Sequence, residues 1–260
     1  MHILIIGDIV GKPGRRAVTE ILPQLKIDHS IDLVIANGEN VSHGRGLSFN
    51  HYEALREVGI DWFTSGNHIW ARADILPYLD DPKIQIIRPA NYPGAVPGRG
   101  IASFKVGTTP IHLLNLMGRV FMAEETDNPF RLFDELIEKL KGVIIVDFHA
   151  EATSEKWAFG HHVTDRATAV VGTHTHVPTA DERLLGAGTA FISDIGMTGP
   201  IDSNIGAEKG TIINHFLTGL PWRYEVAENG PIWFNAVLVT IDVKTHRATH
   251  IERIQKVLDS

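Results

Sequence analysis

Five apolar, strand-like runs in the sequence each end in side chains able to hold a metal ion. They end in Gly7-Asp8, Asn37-Gly38-Glu39-Asn40, Ser65-Gly66-Asn67-His68, Asp147-Phe148-His149 and Gly172-Thr173-His174-Thr175-His176. Taken singly, each has a plain structural reading. An Asp after a strand is most often a turn or a helix cap, and Asn-Gly is ordinary turn chemistry. Turn chemistry does not require carboxylates, amides and three imidazoles at successive strand ends, and ligands of α/β proteins gather at the carboxyl edge of the sheet. The set predicts two cations about 3.5–4 Å apart, with Glu39 as the natural bridging carboxylate. If the backbone stays extended, the i, i+2 spacing of His174 and His176 aims both imidazoles the same way. Oxygen and imidazole donors without a thiolate suit iron, manganese or zinc better than magnesium or copper(I). The glycine-rich run Gly7-Asp8-Ile9-Val10-Gly11-Lys12-Pro13 is one residue short of a phosphate-binding P-loop. Pro13 also stands where that loop needs Ser or Thr.

These residues need a scaffold that alternates strands and helices. Strand patterns cover 2–7, 32–36, 61–64, 83–87, 101–106, 111–116, 143–148, 167–171, 189–193, 236–241 and 249–254. Continuous apolar runs such as Val143-Ile144-Ile145-Val146 suit strands covered on both faces. Helix patterns lie at 14–25, 49–58, 71–79, 129–140 and 207–217. The fourth has Asn128 as N-cap, Pro129 at its first position and Gly142 as its expected C-terminal stop. The class is α/β with a mixed sheet, because the last two strands read as an antiparallel hairpin. Residues 1–260 read as one domain, and Gly118–Asp127 is expected to form a small cap over the site.

Composition narrows the chemistry. The net charge is -7 and the sequence pI about 6.0, so bulk binding of nucleic acid is not expected. A small anionic substrate is compatible, since bound cations invert the local field. The absence of Cys excludes disulfides and cysteine nucleophiles and fits a cytoplasmic setting. No apolar stretch reaches membrane-spanning length. Self-association into a homo-oligomer is left open.

The ordered blocks resemble the calcineurin-like metallophosphoesterase superfamily, whose pattern runs G-D-x-H, G-D-x-x-D, G-N-H-D/E, H and G-H-x-H. Here Val10 stands where the superfamily has a metal-binding His, Glu39 replaces the bridging Asp, and Ile69 replaces the acid that supports the catalytic His. With Asp-Ile-Gly-Met-Thr-Gly-Pro at 194–200, these variations resemble the bacterial YmdB-type branch. The resemblance implies a sandwich of two mixed β-sheets flanked by helices (αββα). It implies hydrolysis of 2′,3′-cyclic nucleotides and related phosphodiesters, with iron or manganese in the site. By position, Asp8, Glu39, Asn40 and His176 would hold one ion. Asn67, His149 and His174 would complete the second, with Glu39 shared. A metal-bridging hydroxide would attack phosphorus while His68 protonates the leaving oxygen. Ile69 cannot orient His68, so either turnover depends less on His68 than in relatives with an acid there, or another group, such as a main-chain carbonyl, orients it. His43 and Arg45 fit a solvated loop, and Glu151, Glu155, His161 and His162 fit surface or supporting positions. Rival readings are a phosphomonoesterase or RNA-cleaving enzyme of the same fold, a metallopeptidase, and a metal-binding regulatory protein with little catalysis. No H-E-x-x-H motif favours the peptidase.

Overall fold

The computed structural model describes residues 1–259. Its architecture follows from strands that are apolar on both faces, since alternate side chains of such strands must be buried in different layers. In β1 (His2–Ile6), Ile3 and Ile5 point into one core while Leu4 and Ile6 point into another. The strand β7 (Val143–His149) divides in the same way, Val143 and Ile145 to one side and Ile144, Val146 and Phe148 to the other. The core shared by both strands lies between two sheets.

In the first sheet, β1 sits between β3 (Leu33–Asn37), which runs parallel, and β12 (Ile232–Asp242), which runs antiparallel. Beyond β3 lies parallel β4 (Trp62–Thr64). The strand β13 (Arg247–Leu258) pairs with β12 in the expected antiparallel hairpin, with a register shift between Thr240 and Ile241. Two short strands, β2 (Asp8–Ile9) and β11 (Met197–Pro200), extend the sheet beside β12. The second sheet has the order β5-β6-β7-β8-β10-β9, spanning Ile101–Val106, Thr109–Met117, Val143–His149, Ala169–Thr173, Thr189–Ile192 and Arg183–Leu185. Its four central strands β6, β7, β8 and β10 are parallel.

Helices cover the outer faces. Ala17, Val18, Leu22 and Leu25 of α1 (Gly11–Asp28) and Leu55 of α2 (Phe49–Val58) pack on the first sheet. Phe133 of α3 (Pro129–Ile137) and Phe159 of α4 (Thr153–His162) pack on the second. A fifth helix, α5 (Lys209–Thr218), carries a single buried side chain, Ile212. The result is the expected αββα sandwich. No helix among the described residues is long and apolar enough to cross a membrane.

Local chemistry fixes several boundaries. Asn128 accepts from the backbone N–H groups of Phe130 and Arg131 at 2.9 and 3.2 Å, and Ser48 caps α2. Other expectations need correction. Gly142 does not stop α3, which ends at Ile137 and frays through a tighter turn to Leu140. The stretch 83–87 makes only an isolated bridge, Phe63 to Ile86, because β4 is three residues long and offers nothing further to pair with. Of the helix expected over 71–79, only a 3₁₀ turn at Leu76–Tyr78 forms, with Pro77 lacking the N–H a longer helix needs. The helix α4 is absent from the sequence patterns, because a buried Lys156 interrupts its apolar face.

Lys156 is 3% exposed at its side chain and donates to Asp194 at 2.6 Å. Asp194 also accepts from the N–H and hydroxyl of Thr175, so the ion pair fastens α4 to the loop between His174 and His176. Lys156→Met should destabilise the protein by about 3–5 kcal/mol, because it strands a buried carboxylate. Lys156→Met combined with Asp194→Asn should recover most of that loss, as read from denaturant midpoints.

Candidate metal centre

The alternation that builds the core also builds the site. Continuing the inward-facing positions to the carboxyl ends of the strands gives Asn37 on β3, Thr64 on β4, Asn115 on β6, Asp147 and His149 on β7 and Thr173 on β8. The inter-sheet layer, apolar through most of its depth, becomes polar at this one edge, and all six side chains are buried there. Buried polar groups must be paired, and these pair with one another. Asp147 accepts from the Thr173 hydroxyl at 2.7 Å, from the Asn37 amide at 3.3 Å and from the Thr64 hydroxyl. Burial raises the Asp147 pKa, with His149 and these hydrogen bonds opposing. Asn115 accepts from the Ser65 N–H at 3.1 Å and holds the loop that carries Asn67 and His68.

Because the Thr173 hydroxyl donates to Asp147, it accepts from His149 Nδ1 at 2.9 Å. That bond fixes the ring and turns Nε2 outward, the supporting arrangement usual for metal-binding histidines. His149 Nε2 then faces His174 Nδ1 at 3.0 Å, Asn67 Oδ1 at 3.2 Å and Glu39 Oε1 at 3.3 Å. Glu39, His149 and His174 can present donor atoms all within 4.8 Å of one another. Gly66 makes this approach feasible, since a Cβ there would run into the His149 ring and the Glu39 carboxylate.

The second half of the cluster forms around Asp8. Its Oδ2 accepts from the His174 N–H at 3.2 Å, and its buried Oδ1 receives no hydrogen bond. His176 Nε2 lies 3.9 Å from that oxygen and 3.1 Å from Asn40 Nδ2. His176 Nδ1 donates to the Ile205 carbonyl at 2.7 Å, which leaves Nε2 with a lone pair toward Asp8. Asn40 Nδ2 is 3.4 Å from Glu39 Oε1, and Asn40 Oδ1 is 2.8 Å from His68 Nδ1. All eight residues singled out in the sequence, Asp8, Glu39, Asn40, Asn67, His68, His149, His174 and His176, therefore join one continuous cluster. As placed, Asn40 presents its nitrogen to the Asp8 side; rotating the amide would exchange Nδ2 for Oδ1 there.

Two local expectations change. His174 and His176 do not sit on extended backbone: their φ angles are 103° and 66°, just past the end of β8 at Thr173. Ile205, whose carbonyl fixes His176, has φ 47°, a costly conformation for a β-branched residue. Such strain gathers at functional sites held by the surrounding structure. The group beside His68 is the Asn40 side chain rather than a main-chain carbonyl, and Ile69 is buried in the core.

The electrostatics match a cation site. Burial raises the Asp8 pKa to about 6; His176 and His149 pull against it, and Asp194 and Glu39 add to it. Glu39 is subject to the same burial, but His149 and His68 outweigh it and hold the carboxyl well below the usual range. Burial lowers His149, yet Glu39, Asp8 and Asp147 raise it to about 9. Burial and the neighbouring His149 depress His174 to about 3. An orphaned carboxylate oxygen, a lone pair on His176 and three acceptors around His149 Nε2 would be satisfied together by cations. The donors, oxygen and imidazole without sulfur, fit iron, manganese or zinc.

Residues 4–254 match the model of YmdB-like proteins. The chain belongs to the YmdB-like family. The 2′,3′-cyclic-nucleotide 2′-phosphodiesterase of Bacillus subtilis (strain 168) is 48% identical over 257 residues, covering 98% of this chain and 96% of the relative. The crystal structure of a novel phosphatase from Mycoplasma pneumoniae superposes with a TM-score of 0.95 at 39% identity, over 100% of this chain and 94% of the other. That of a hypothetical protein from Thermus thermophilus does so at 0.93 and 41% identity, over 99% of each chain. The sandwich is thus the metallophosphoesterase fold in its YmdB-like form.

In this YmdB-like protein, His43 and Arg45 are exposed, as expected of a loop. Glu151 reaches His174 Nε2 at 3.3 Å from the surface. Glu155 accepts from the N–H groups of Arg119 and Val120 and so anchors the 118–127 segment. The supporting residues Asp147, Thr173, Asn37 and Lys156 were not singled out from the sequence. The signal for the first three was there, since Asp147, Thr173 and Asn37 share strand parity with the apolar positions before them.

The proton on His149 Nε2 occupies the point at which its neighbours converge, so metal loading must expel it. Below about pH 9 the apparent metal affinity should weaken as pH falls, because His149 is then protonated in the metal-free protein. The slope should be about tenfold per pH unit for each proton displaced. Calorimetric manganese titrations in buffers of different ionisation enthalpy measure the release; uptake at neutral pH without proton release would contradict the arrangement.

Proposed function

We propose that this chain is a dinuclear-metal phosphodiesterase that hydrolyses 2′,3′-cyclic nucleotides and related phosphodiesters, with His68 as general acid. The reading is carried by the convergence of His149 Nε2, His174 Nδ1 and Glu39 Oε1 at one buried point. It is supported by the name of the Bacillus subtilis relative, which matches nearly the whole chain. Asp8, Asn40 and His176 would hold one ion, Asn67, His149 and His174 the other, and Glu39 both. When bound, such ions lower the pKa of water and neutralise charge on phosphoryl oxygens.

The remaining chemistry falls to the chain's own groups. His68 is a quarter exposed at its side chain, within the cluster but outside the ring of donors. Burial lowers its pKa, with Glu39 opposing, which disfavours an imidazolium near neutral pH. Asn40 offers a way round this. With its oxygen turned toward Asp8, its Nδ2 donates to His68 Nδ1, and a neutral His68 then carries its proton on Nε2. That nitrogen can deliver the proton to a leaving ribose oxygen. The amide thus takes over the orienting role that Ile69 cannot fill. The 118–127 segment, tied down by Glu155 and by Asn91 at the Asp127 carbonyl, acts as a small cap of a single domain.

Protein purified without chelator and supplied with manganese should hydrolyse 2′,3′-cyclic AMP and lose that activity with EDTA. Peptides should not be cleaved, and inactivity toward every phosphodiester in fully loaded protein would refute the proposal. His68→Ala should slow release of the ribose oxygen by about 10²–10⁴-fold. It should barely affect a p-nitrophenyl ester, whose leaving group needs no proton, and should leave metal content unchanged. Loss of metal would make His68 a ligand instead.

A further inference from the structure

Beside the metal centre lies a second, apolar cavity of about 290 Å³, with His176, Ile205, His215, Phe216, Trp222 and Tyr224 among its walls. Two of these, His176 and Ile205, also line the cleft over Glu39, His68 and His174. The two spaces are therefore neighbours across one strained residue. The carbonyl of Ile205 holds a metal-centre histidine, and the half-exposed residue lines both spaces.

The walls have the character of an aromatic slot. Trp222 lies 6.0 Å from Tyr224 and 6.1 Å from His215 between ring centroids, tilted at 46° and 41°. Tyr224 is fixed: its ring packs where a Cβ on Gly44 would collide with it, and its hydroxyl lies 3.2 Å from where a Gly206 Cβ would sit. Phe216 is 80% exposed and Trp222 40%, so much aromatic surface faces solvent at the cavity mouth. One polar group in the wall is set for recognition. His215 Nδ1 donates to the Leu220 carbonyl at 2.6 Å, which leaves Nε2 of the neutral ring as an acceptor. Asn204 adds an amide to the lining.

We infer that this cavity is the nucleobase subsite of the enzyme: a purine or pyrimidine stacks against Trp222 and Tyr224 while its phosphate reaches the metal centre past His176. The inference rests on the phosphodiesterase reading for its orientation. It goes further by naming what distinguishes a nucleotide from any other phosphodiester. A flat ring with hydrogen-bonding edges matches aromatic walls carrying one acceptor and one amide, and stacking on aromatic side chains is how proteins hold bases without strict sequence preference. Ribose links base to phosphate, as Ile205 and His176 link the two spaces.

The test uses metal-loaded, full-length protein and adenosine, which lacks phosphate. Adenosine should quench tryptophan fluorescence in the wild type, and Trp222→Ala should weaken its binding by about ten- to a hundredfold. Phe216→Ala, at a largely exposed position, should weaken binding in the same direction without risk to folding. Trp222→Ala should raise KM for 2′,3′-cyclic AMP similarly. It should leave both kcat and the hydrolysis of methyl riboside 2′,3′-cyclic phosphate, which has no base, unchanged. Equal adenosine affinity in wild type and Trp222→Ala, or none in the wild type, would overturn the inference. So would sedimentation showing that a second copy of the chain covers this face. If no phosphodiester is cleaved at all, the catalytic reading fails separately, and the adenosine titration still decides the subsite.

Discussion

The structure turns on one carboxylate. Glu39 has 1% of its side chain exposed, yet it stays ionised. A lone buried carboxylate would take up a proton to escape the cost of desolvation. Glu39 does not, because His149 stands 3.3 Å from one of its oxygens and the His68 N–H donates to the other at 3.0 Å. The charge is thus held in place by His149, which with it can grip a cation, and by the backbone of the loop that carries His68. Metal binding would exchange one positive partner for another, a proton on His149 for a cation, without leaving Glu39 uncompensated.

Supporting that charge shapes the fold around it. His149 can face Glu39 only because Thr173 and Asp147 fix its other nitrogen, and Asp147 stays buried only because Thr64, Asn37 and Thr173 donate to it. These residues come from β3, β4, β7 and β8 in two different sheets, so the network stitches the sandwich together at its polar edge. On the far side, Lys156 and Asp194 secure the turn in which His174 and His176 take up left-handed backbone. The strain in those residues and in Ile205 is carried by this network of paired side chains. Such pairing suits a site that must hold donors in fixed positions before metal arrives.

Much of this could be read from the chain alone. Long apolar runs such as Val143–Val146 mark strands buried on both sides, and polar residues just beyond them mark the functional edge, because both follow from local pattern. The eight central residues were legible for that reason. The supporting layer was harder to see. Asp147 looks like one more residue of a strand until its parity with Val143 and Ile145 places it between the sheets. Lys156 interrupts the apolar face of α4, so the helix itself escapes notice, and its partner Asp194 lies 38 residues away. The strands β2 and β11 are too short for periodicity, and they exist only because Asp8 and Ile9 align with Met197 and Thr198 across most of the chain. Left-handed backbone at His174 and His176 has no signature in the residue types, since it is imposed by tertiary contacts. The aromatic residues of the 205–224 segment carry no regular pattern either, and gain meaning only when placed beside His176.

If Glu39 bridges as proposed, a single buried carboxylate serves two ions at once. The most direct measurement is the metal content, by mass spectrometry, of wild-type protein and of Glu39→Gln, a substitution that keeps the shape and removes the charge. The bridging role of Glu39 predicts two ions per chain in the wild type and loss of both from the variant, with the fold intact by circular dichroism. Two ions retained by Glu39→Gln, or a single ion in saturated wild type, would contradict it.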